Sequence, residues 1–206
     1  MRIAILGGTG KLGLAFAVRL GRTDHEVAIG SRDAAKAQDA ARTVGERVSG
    51  MTNADAAEWC GLALASVPYA GHRALFESLR RPLGGKIIVD ATVPIDPANM
   101  LQIKTDSGKS AAEETAGIVA GADVYAAFQT VSHRVLRQAG VSHDVLVAGG
   151  PARKSSVMEL VRAMELRPID AGPIEVAGHI ERLTTLLLSI NKANKVKESG
   201  IRITGI

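Results

Sequence analysis

The chain alternates between short runs of consecutive apolar residues and longer segments in which apolar positions recur every three or four residues. The short runs are typical of strands buried on both faces of a sheet, and the longer segments are typical of helices packed against it. Strands are predicted at residues 2–6, 26–29, 48–51, 62–67, 86–90, 123–128, 145–148, 167–171 and 201–204. Helices are predicted at residues 12–20, 36–44, 53–59, 110–119, 152–164 and 176–193, with another beginning near Tyr69. This order predicts an α/β fold, a Rossmann-type doubly wound, mostly parallel sheet with a small C-terminal α/β extension.

The first predicted strand leads directly into a glycine-rich turn and a helix. Gly8, Gly10 and Gly13 have the spacing G-x-G-x-x-G. In a dinucleotide site the first glycine allows the sharp turn, the second lets backbone N–H groups approach a pyrophosphate, and the third lets helix and strand pack closely. A phosphate-binding P-loop is excluded, because Lys11 is followed by Leu12 and not by Ser or Thr. We therefore predict a dinucleotide whose pyrophosphate lies at the N-terminus of this helix.

The end of the second predicted strand indicates which dinucleotide is bound. An NAD site would have a carboxylate there for the ribose 2′-hydroxyl, whereas this chain has Ser31 and Arg32, with Lys36 one helical turn later. A hydroxyl and two cations are suited to a 2′-phosphate, which a carboxylate would repel. Asp33 is interpreted as the cap of the next helix. The sequence therefore favours NADP(H) over NAD(H).

Composition narrows the class of protein further. The 206 residues carry a formal net charge of +4, and only 3% are aromatic. Scattered basic residues with few aromatics fit anionic small molecules better than nucleic acid. The single cysteine, Cys60, excludes an internal disulfide and a CxxC pair, and we expect no metal site. No apolar run is long enough to cross a membrane and no signal-peptide pattern precedes the first strand, so we expect a cytoplasmic protein without a membrane partner.

The carboxyl ends of the central strands are where an open α/β sheet binds its ligands. The fourth predicted strand stops at Pro68, and Val93 lies beyond the tip of the fifth, where it would line the nicotinamide pocket. The segment 95–108 is predicted to be a long irregular loop, and such loops are commonly functional. His72 is expected to be a surface residue. The last predicted helix is interpreted as a core helix whose apolar side permits a homodimer.

These features together resemble the NADPH-dependent F420 reductases, also called F420H2:NADP oxidoreductases. The similarity covers nearly the whole chain, and the central and C-terminal motifs are more specific to this family than the first ones. The motifs are GGTGKLG in the first turn, GSR after the second strand, Val67-Pro68, Val93-Pro94, Ser110-Ala111-Ala112-Glu113, Asp170-Ala171-Gly172-Pro173 and Glu181-x-Leu183-Thr184.

The resemblance implies an NADP-binding Rossmann domain at residues 1–150 and a small C-terminal part at residues 151–206 that closes the substrate cleft. Family members pass a hydride between C4 of the nicotinamide and C5 of a deazaflavin, coenzyme F420, stacked against it. The residues implied for NADP(H) are Gly8, Thr9, Gly10, Lys11 and Leu12 at the pyrophosphate, Ser31, Arg32 and Lys36 at the 2′-phosphate, and Val67, Pro68 and Val93 at the nicotinamide. Those implied for the second substrate are Gln129, Val131, Arg182 and Thr184.

Three positions depart from the family pattern, all on the side of the second substrate. Gln129 stands where family members can carry His, Gly178 where Arg is typical, and Arg182 where Ser is typical. Arg182 can still meet an acidic tail on the substrate. None of the three departures touches the implied NADP(H) site.

The implied reaction needs no protein nucleophile or general base, because hydride transfer between stacked rings belongs to the two cofactors. We therefore predict no catalytic side chain. One alternative is an NADPH-dependent reductase of a free flavin or of a small imine or carbonyl acceptor. An imine or carbonyl substrate would need a proton donor near the nicotinamide, and the candidates are Tyr69, His72 and His133. The other alternative is a sensor that binds NADP(H) without turnover.

Overall fold

The predicted strands and helices assemble into one large sheet covered by helices on both sides. A computed structural model describes residues 1–138, 140 and 143–206. The strands are β1 (Arg2–Leu6), β2 (Glu26–Ser31), β3 (Val48–Thr52), β4 (Leu62–Ala65), β5 (Ile87–Asp90), β6 (Ile95–Asp96), β7 (Asn99–Ile103), β8 (Asp123–Ala126), β9 (Asp144–Gly149) and β10 (Arg167–Gly172). The helices are α1 (Lys11–Leu20), α2 (Ala34–Val44), α3 (Asn53–Trp59), α4 (Tyr69–Leu83), α5 (Ala111–Ile118), α6 (His133–Arg137), α7 (Lys154–Ala163) and α8 (Ala177–Asn194).

The strand order of the large sheet is β3-β2-β1-β4-β5-β8-β9-β10. Its strand pairs are parallel except for β8 and β9, which run antiparallel. The chain builds outward from β1 to β2 and β3, and then from β4 on the other side, so the order reverses between β1 and β4. Ligands of such sheets bind at the carboxyl ends beside this reversal. The predicted Rossmann-type fold is confirmed.

Apolar side chains are buried on both faces of the sheet. On one face they come from α1, α2, α6 and α7, and Phe16 packs edge-on against Phe128 with ring centroids 5.0 Å apart. On the other face they come from α3, α4, α5 and α8, with Phe76 among the largest. Two covered faces explain the continuous apolar runs of the central strands. Within the described residues, no helix is both long and apolar enough to span a membrane.

Polar residues at the predicted helix starts act as caps. The Thr52 side chain accepts a hydrogen bond from the Asp55 N–H at the start of α3. Ser110 and Glu113 form a complete capping box at the start of α5, each side chain accepting from the other residue's backbone N–H. Such caps satisfy N–H groups that a helix leaves unpaired. The predicted starts of both helices are confirmed.

The segment 95–108 is more regular than predicted, because its first part is an antiparallel hairpin of β6 and β7. Two side chains close the turn: Asp96 Oδ1 accepts from the Ala98 N–H at 2.9 Å, and Asn99 Oδ1 accepts from the Leu101 N–H at 3.1 Å. Asp and Asn stabilise turns in this way. The prediction of an irregular loop is therefore wrong for this part.

The predicted last strand, residues 201–204, is also wrong, since this segment has no strand structure. The Asp144 N–H donates to the Ile201 carbonyl at 3.3 Å, and the Asp144 carboxylate accepts from the Ile203 N–H at 2.6 Å. A side-chain acceptor thus replaces the carbonyl of a strand ladder. Arg167 donates two hydrogen bonds to the same carboxylate, at 2.7 and 2.6 Å.

Two other predicted strands are shorter in the structure. The fourth ends at Ala65, and the sixth ends at Ala126 because Phe128 has φ of 73°, outside the strand region. Beyond residue 150 the sheet continues, since β10 pairs in parallel with β9. The division into units at 1–150 and 151–206 stays a prediction.

Candidate active site

The turn between β1 and α1 is held by backbone hydrogen bonds. The Gly8 N–H lies 3.1 Å from the Ile5 carbonyl and 2.9 Å from the Gly30 carbonyl, and the Gly7 N–H donates to Asn53 Oδ1 at 3.1 Å. Gly10 is the N-cap of α1 and supplies no side-chain cap. The first N–H groups of α1 therefore point outward with the positive end of the helix dipole, the arrangement that binds a pyrophosphate.

Gly10 and Gly13 are needed for different reasons. A Cβ on Gly13 would lie 2.5 Å from Gly8 Cα, so only glycine lets α1 pack on the turn. A Cβ on Gly10 would have no neighbour nearer than the Gly7 carbonyl, at 3.8 Å, and would project into open space. The protein itself thus does not require a glycine at position 10, and the open space fits a bound pyrophosphate.

This difference predicts opposite effects for two alanine variants. Gly13→Ala should lower the stability of the cofactor-free protein by about 1–3 kcal/mol, because the methyl group meets backbone atoms. Gly10→Ala should leave stability nearly unchanged and raise the dissociation constant of NADPH by about tenfold or more, through loss of a hydrogen bond to a charged group. Thermal unfolding and fluorescence titration measure the two effects. Gly117→Ala on α5, where a Cβ meets nothing within 4 Å, is the control and should lower neither the stability nor the affinity for NADPH.

Two exposed cations lie where the 2′-phosphate is predicted. Asp33 is the cap of α2, as interpreted from the sequence, because its Oδ1 accepts from the Ala35 N–H at 2.9 Å and the Lys36 N–H at 3.3 Å. Arg32 and Lys36 are exposed, and neither forms an ion pair with the residues that the structure describes. Ser31 ends β2 beside them. The group fits a 2′-phosphate, which would supply the missing negative charge.

The residues predicted at the nicotinamide lie at the tips of β4 and β5. Val67 adjoins the glycine turn so closely that a Cβ on Gly7 would lie 2.4 Å from Val67 Cγ1. Pro68 is exposed and Val93 is half-buried. The structure thus brings Val67 next to the predicted pyrophosphate site, while contact of these residues with the nicotinamide stays a prediction.

A buried polar network lies at the tip of β5, and it overturns the expectation that His72 is a surface residue. Both His72 and Asp90 are 0% exposed. Asp90 Oδ2 lies 2.8 Å from His72 Nε2 and accepts from Thr115 Oγ1 at 2.7 Å, while Oδ1 accepts from the Thr92 N–H at 2.9 Å. Burial alone would raise the pKa of Asp90, but hydrogen bonds and the charge of His72 outweigh it and lower the pKa.

Sequence reasoning missed this network, although one signal for it was present. His72 precedes Phe76, Leu79 and Leu83 at helical spacing, and all four are buried on α4. A histidine on the apolar face of a helix is a core residue that needs a polar partner. The partner lies at the end of a strand that is otherwise apolar, IIVD.

Gln129 and Thr184 connect the same network to α8. Gln129 Nε2 donates to the Asp90 carbonyl at 2.8 Å, and Thr184 Oγ1 donates to the Gln129 carbonyl at 2.9 Å. Gln129 and Val131 are 6% and 4% exposed. The structure therefore brings together two of the predicted substrate residues, Gln129 and Thr184, at the tip of β5.

Arg182 lies apart from this group. Its Nη1 donates to the Gly178 carbonyl at 3.2 Å, and the side chain lines a separate pocket with residues that follow β7. Positions 182 and 184 are two residues apart on α8, and such residues point to different sides of a helix. Of the predicted substrate residues, Arg182 is thus not placed with Gln129 and Thr184.

The three side chains considered as proton donors for an imine or carbonyl reductase are each constrained by hydrogen bonds, burial or neighbouring charges. The Tyr69 hydroxyl donates to Glu114 Oε2 at 3.0 Å and accepts from the Asp106 N–H at 3.1 Å, and burial raises its pKa. His72 is enclosed in the network at Asp90. His133 is half-buried at the start of α6, where burial and the nearby charges of Arg134 and Lys11 lower its pKa.

Glu181 on α8, the first residue of the motif Glu181-x-Leu183-Thr184, is a further buried acid, for which the sequence predicted no role. It is 0% exposed, and its Oε1 accepts from the Ala111 N–H at 2.9 Å, while Oε2 has no hydrogen-bond partner among the residues that the structure describes. Burial, reinforced by the negative charge of Asp90, raises its pKa to about 8. The buried site thus favours the protonated form of Glu181.

The raised pKa of Glu181 predicts that the Glu181→Gln variant becomes more stable relative to wild type as the pH rises. The glutamine keeps an oxygen that can accept from the Ala111 N–H. Above the ordinary value of 4.5 the unfolded chain loses the Glu181 proton, whereas the folded protein keeps it up to about pH 8. Wild-type stability therefore falls across this interval, and the glutamine variant avoids the loss. We expect the variant's relative stability to rise by about 1 kcal/mol or more over the interval. Urea unfolding at several pH values tests this, and a difference that is constant with pH would contradict it.

Known proteins resemble the chain along its whole length. The family model for "NADP oxidoreductase coenzyme F420-dependent" matches residues 2–94. The F420-dependent NADP reductase of Methanothermobacter marburgensis is 39% identical over 223 residues, covering 100% of this chain and 99% of the relative. The enzyme of the same name from Methanocaldococcus jannaschii is 35% identical over 224 residues, covering 100% and 99%.

A solved structure agrees with these relatives. It is the crystal structure of a protein from Arthrobacter sp. FB24 assigned as an F420-dependent NADP reductase, with a TM-score of 0.86 and 26% identity, covering 98% of this chain and 99% of that one. The match thus includes both the glycine turn and the C-terminal helix. On full-length similarity in sequence and fold, the chain belongs to the family of F420-dependent NADP reductases.

Proposed function

We propose that this protein transfers a hydride between NADP(H) and coenzyme F420. The observation that carries the NADP(H) half is the pair Arg32 and Lys36, which follow β2 beside the glycine turn and form no ion pair with the residues that the structure describes. The F420 half rests on the relatives, whose name states that activity. A cytoplasmic location and a homodimer stay predictions from the sequence.

The chemistry of the reaction belongs to the two cofactors, which exchange a hydride between the nicotinamide and the deazaflavin. The protein has to bind the two rings against each other and exclude water. Val67, Pro68 and Val93 would contact the nicotinamide. Gln129 and Val131 are almost fully buried, so they would form the protein side of the deazaflavin site. Thr184 would hold α8 against this site through its hydrogen bond to the Gln129 carbonyl.

The proton donors speak against the imine or carbonyl alternative. A reductase of that kind needs an acid free to meet the substrate. The Tyr69 hydroxyl donates to Glu114, and His72 is 0% exposed and bonded to Asp90. His133 is half-buried, and burial and the charges of Arg134 and Lys11 lower its pKa, which disfavours the protonated, donating form. Hydride transfer between two rings needs none of these groups, so it is the function that this arrangement supports best.

The test is stopped-flow absorbance of the purified protein with NADPH, mixed in parallel with oxidised F420 and with FMN. We expect rapid loss of the F420 absorbance and little reaction with FMN. Reaction with FMN alone would replace the deazaflavin with a free flavin as the acceptor. Tight NADPH binding with no turnover on either acceptor would contradict the proposal and favour a sensor.

A further inference from the structure

A basic pocket lies on the side of α8 where Arg182 is found. It has a volume of about 350 Å³ and lies between the end of β7, the loop 104–109 and the starts of α5 and α8. Its basic residues are Lys104, Lys109, His179 and Arg182. The side chains of all four are exposed, so a ligand can reach them.

The positive charge of the basic pocket is not neutralised by ion pairs. Lys104, Lys109 and Arg182 form none with the part of the chain that the structure describes. Two carboxylates also line the pocket, Glu113 and Glu175. The Glu113 side chain is part of the cap of α5, where its Oε2 accepts from the Ser110 N–H at 2.9 Å and from the Ser110 hydroxyl at 2.7 Å. Glu175 is exposed and forms no ion pair with the three cations in the part of the chain that the structure describes, so their donors are available to an anion.

Gly178 gives Arg182 its place in the basic pocket. A Cβ on Gly178 would lie 3.2 Å from Arg182 Nη1, so the absence of a side chain leaves room for the guanidinium to lie along the first turn of α8. The Nη1 group donates to the Gly178 carbonyl at 3.2 Å. This single bond orients the guanidinium and leaves most of its five donors free.

The basic pocket adjoins the predicted nicotinamide site. The Lys104 N–H donates to the Pro94 carbonyl at 2.7 Å, and Pro94 follows Val93 directly. The predicted 2′-phosphate site follows β2, which is separated from β5 by β1 and β4 in the sheet. Three strand spacings amount to about 14 Å. One small anion therefore cannot occupy both sites.

We infer that the basic pocket is a second anion-binding site, which receives the acidic tail of the substrate that stacks on the nicotinamide. This inference rests on the proposed function, because coenzyme F420 carries a phosphodiester and glutamate carboxylates beyond its ring. A ring bound beside Val93 has the basic pocket next to it, and its substituent can reach the pocket. The pocket recognises the anionic oxygens that phosphate and carboxylate groups share.

The first experiment compares F420 with its tail-less deazaflavin core as acceptors of hydride from NADPH. We expect the KM of the core to exceed that of F420 by about tenfold at low salt, since several partly exposed charge pairs add up to that factor. Lys109→Gln and Arg182→Gln should each reduce this ratio, and added salt should reduce it as well. Lys192→Gln, an exposed cation near the other end of α8, is the matched control and should keep the ratio. Equal KM values in the wild type, or a ratio unaffected by the pocket variants, would overturn the inference.

The second experiment separates the basic pocket from the proposed function. Tri-γ-glutamate and pyrophosphate are titrated calorimetrically into protein saturated with NADP⁺, so that the cofactor site is filled. We expect binding that Lys109→Gln and Arg182→Gln each weaken about two- to fivefold and that Lys192→Gln does not weaken. No binding, or binding that the pocket variants leave unchanged, overturns the anion site. Binding at the pocket without turnover of F420 overturns the assignment of the tail and, separately, the proposed function.

Discussion

Replacing Ser31 with Asp and Arg32 with Ala is expected to reverse the cofactor preference from NADPH to NADH. Arg32 is exposed at the tip of β2 and has no ion pair in the described structure, so a 2′-phosphate would be its partner. Each hydrogen bond between charged groups contributes about 1.5–3 kcal/mol, so the double change should lower kcat/KM for NADPH by about 100-fold or more. The new carboxylate should also repel the phosphate and accept the ribose hydroxyl of NADH.

The same change should be tolerated by the fold. Ser31 Oγ accepts from the Asp33 N–H at 3.3 Å, and an aspartate at this position offers an oxygen for that bond. Steady-state kinetics with both cofactors measures the preference. Arg42→Ala is the matched control, since Arg42 is an exposed cation on α2, the helix that follows Arg32, and its partner is Asp39; the kinetics of this variant should be unchanged. An unaltered ratio of NADPH to NADH in the double variant would rule out the 2′-phosphate site at Ser31, Arg32 and Lys36.

The parts of the molecule that sequence predicted well are those with local signals. The first strand, turn and helix follow from an apolar run and three glycines within a few residues, and Asp33 caps α2 because its side chain reaches the N–H groups two and three residues further on. The capping box at Ser110 is equally local. Their partners are near in the chain, so spacing alone identifies them.

The parts that sequence did not predict depend on partners far apart in the chain. The segment 201–204 has an apolar alternation typical of a strand, but the Asp144 carboxylate takes the place of a neighbouring strand. His72 and Asp90 are 18 residues apart on different elements and meet only when α4 packs on the sheet. The separation of Arg182 from Thr184 could have been predicted, because two residues apart on a helix means different sides.

The largest loss of stability is expected from Asp90→Ala, because it removes the acceptor shared by three groups. His72 Nε2, Thr115 Oγ1 and the Thr92 N–H would all lose this acceptor at a buried site, and His72 Nε2 and Thr115 Oγ1 would keep only their contact with each other, at 2.9 Å. Each buried donor left without its acceptor costs about 1–3 kcal/mol, so the variant should lose about 3–5 kcal/mol of stability in total. Asp90→Asn retains a carbonyl oxygen and should restore part of the loss. Asp39→Ala, which breaks an exposed pair with Arg42, should cost less than about 1 kcal/mol.

The pH dependence of this loss distinguishes a charged network from a simple cavity. The pKa of Asp90 is lowered in the folded protein, so its ionised form contributes stability above the pKa of the unfolded chain, about 3.9. That contribution is lost as the pH falls through the lower folded-state pKa. Urea unfolding should therefore show a difference between wild type and Asp90→Ala that is largest near neutral pH and shrinks in acid. A large loss that does not change with pH would mean that the missing volume, and not the carboxylate, is responsible.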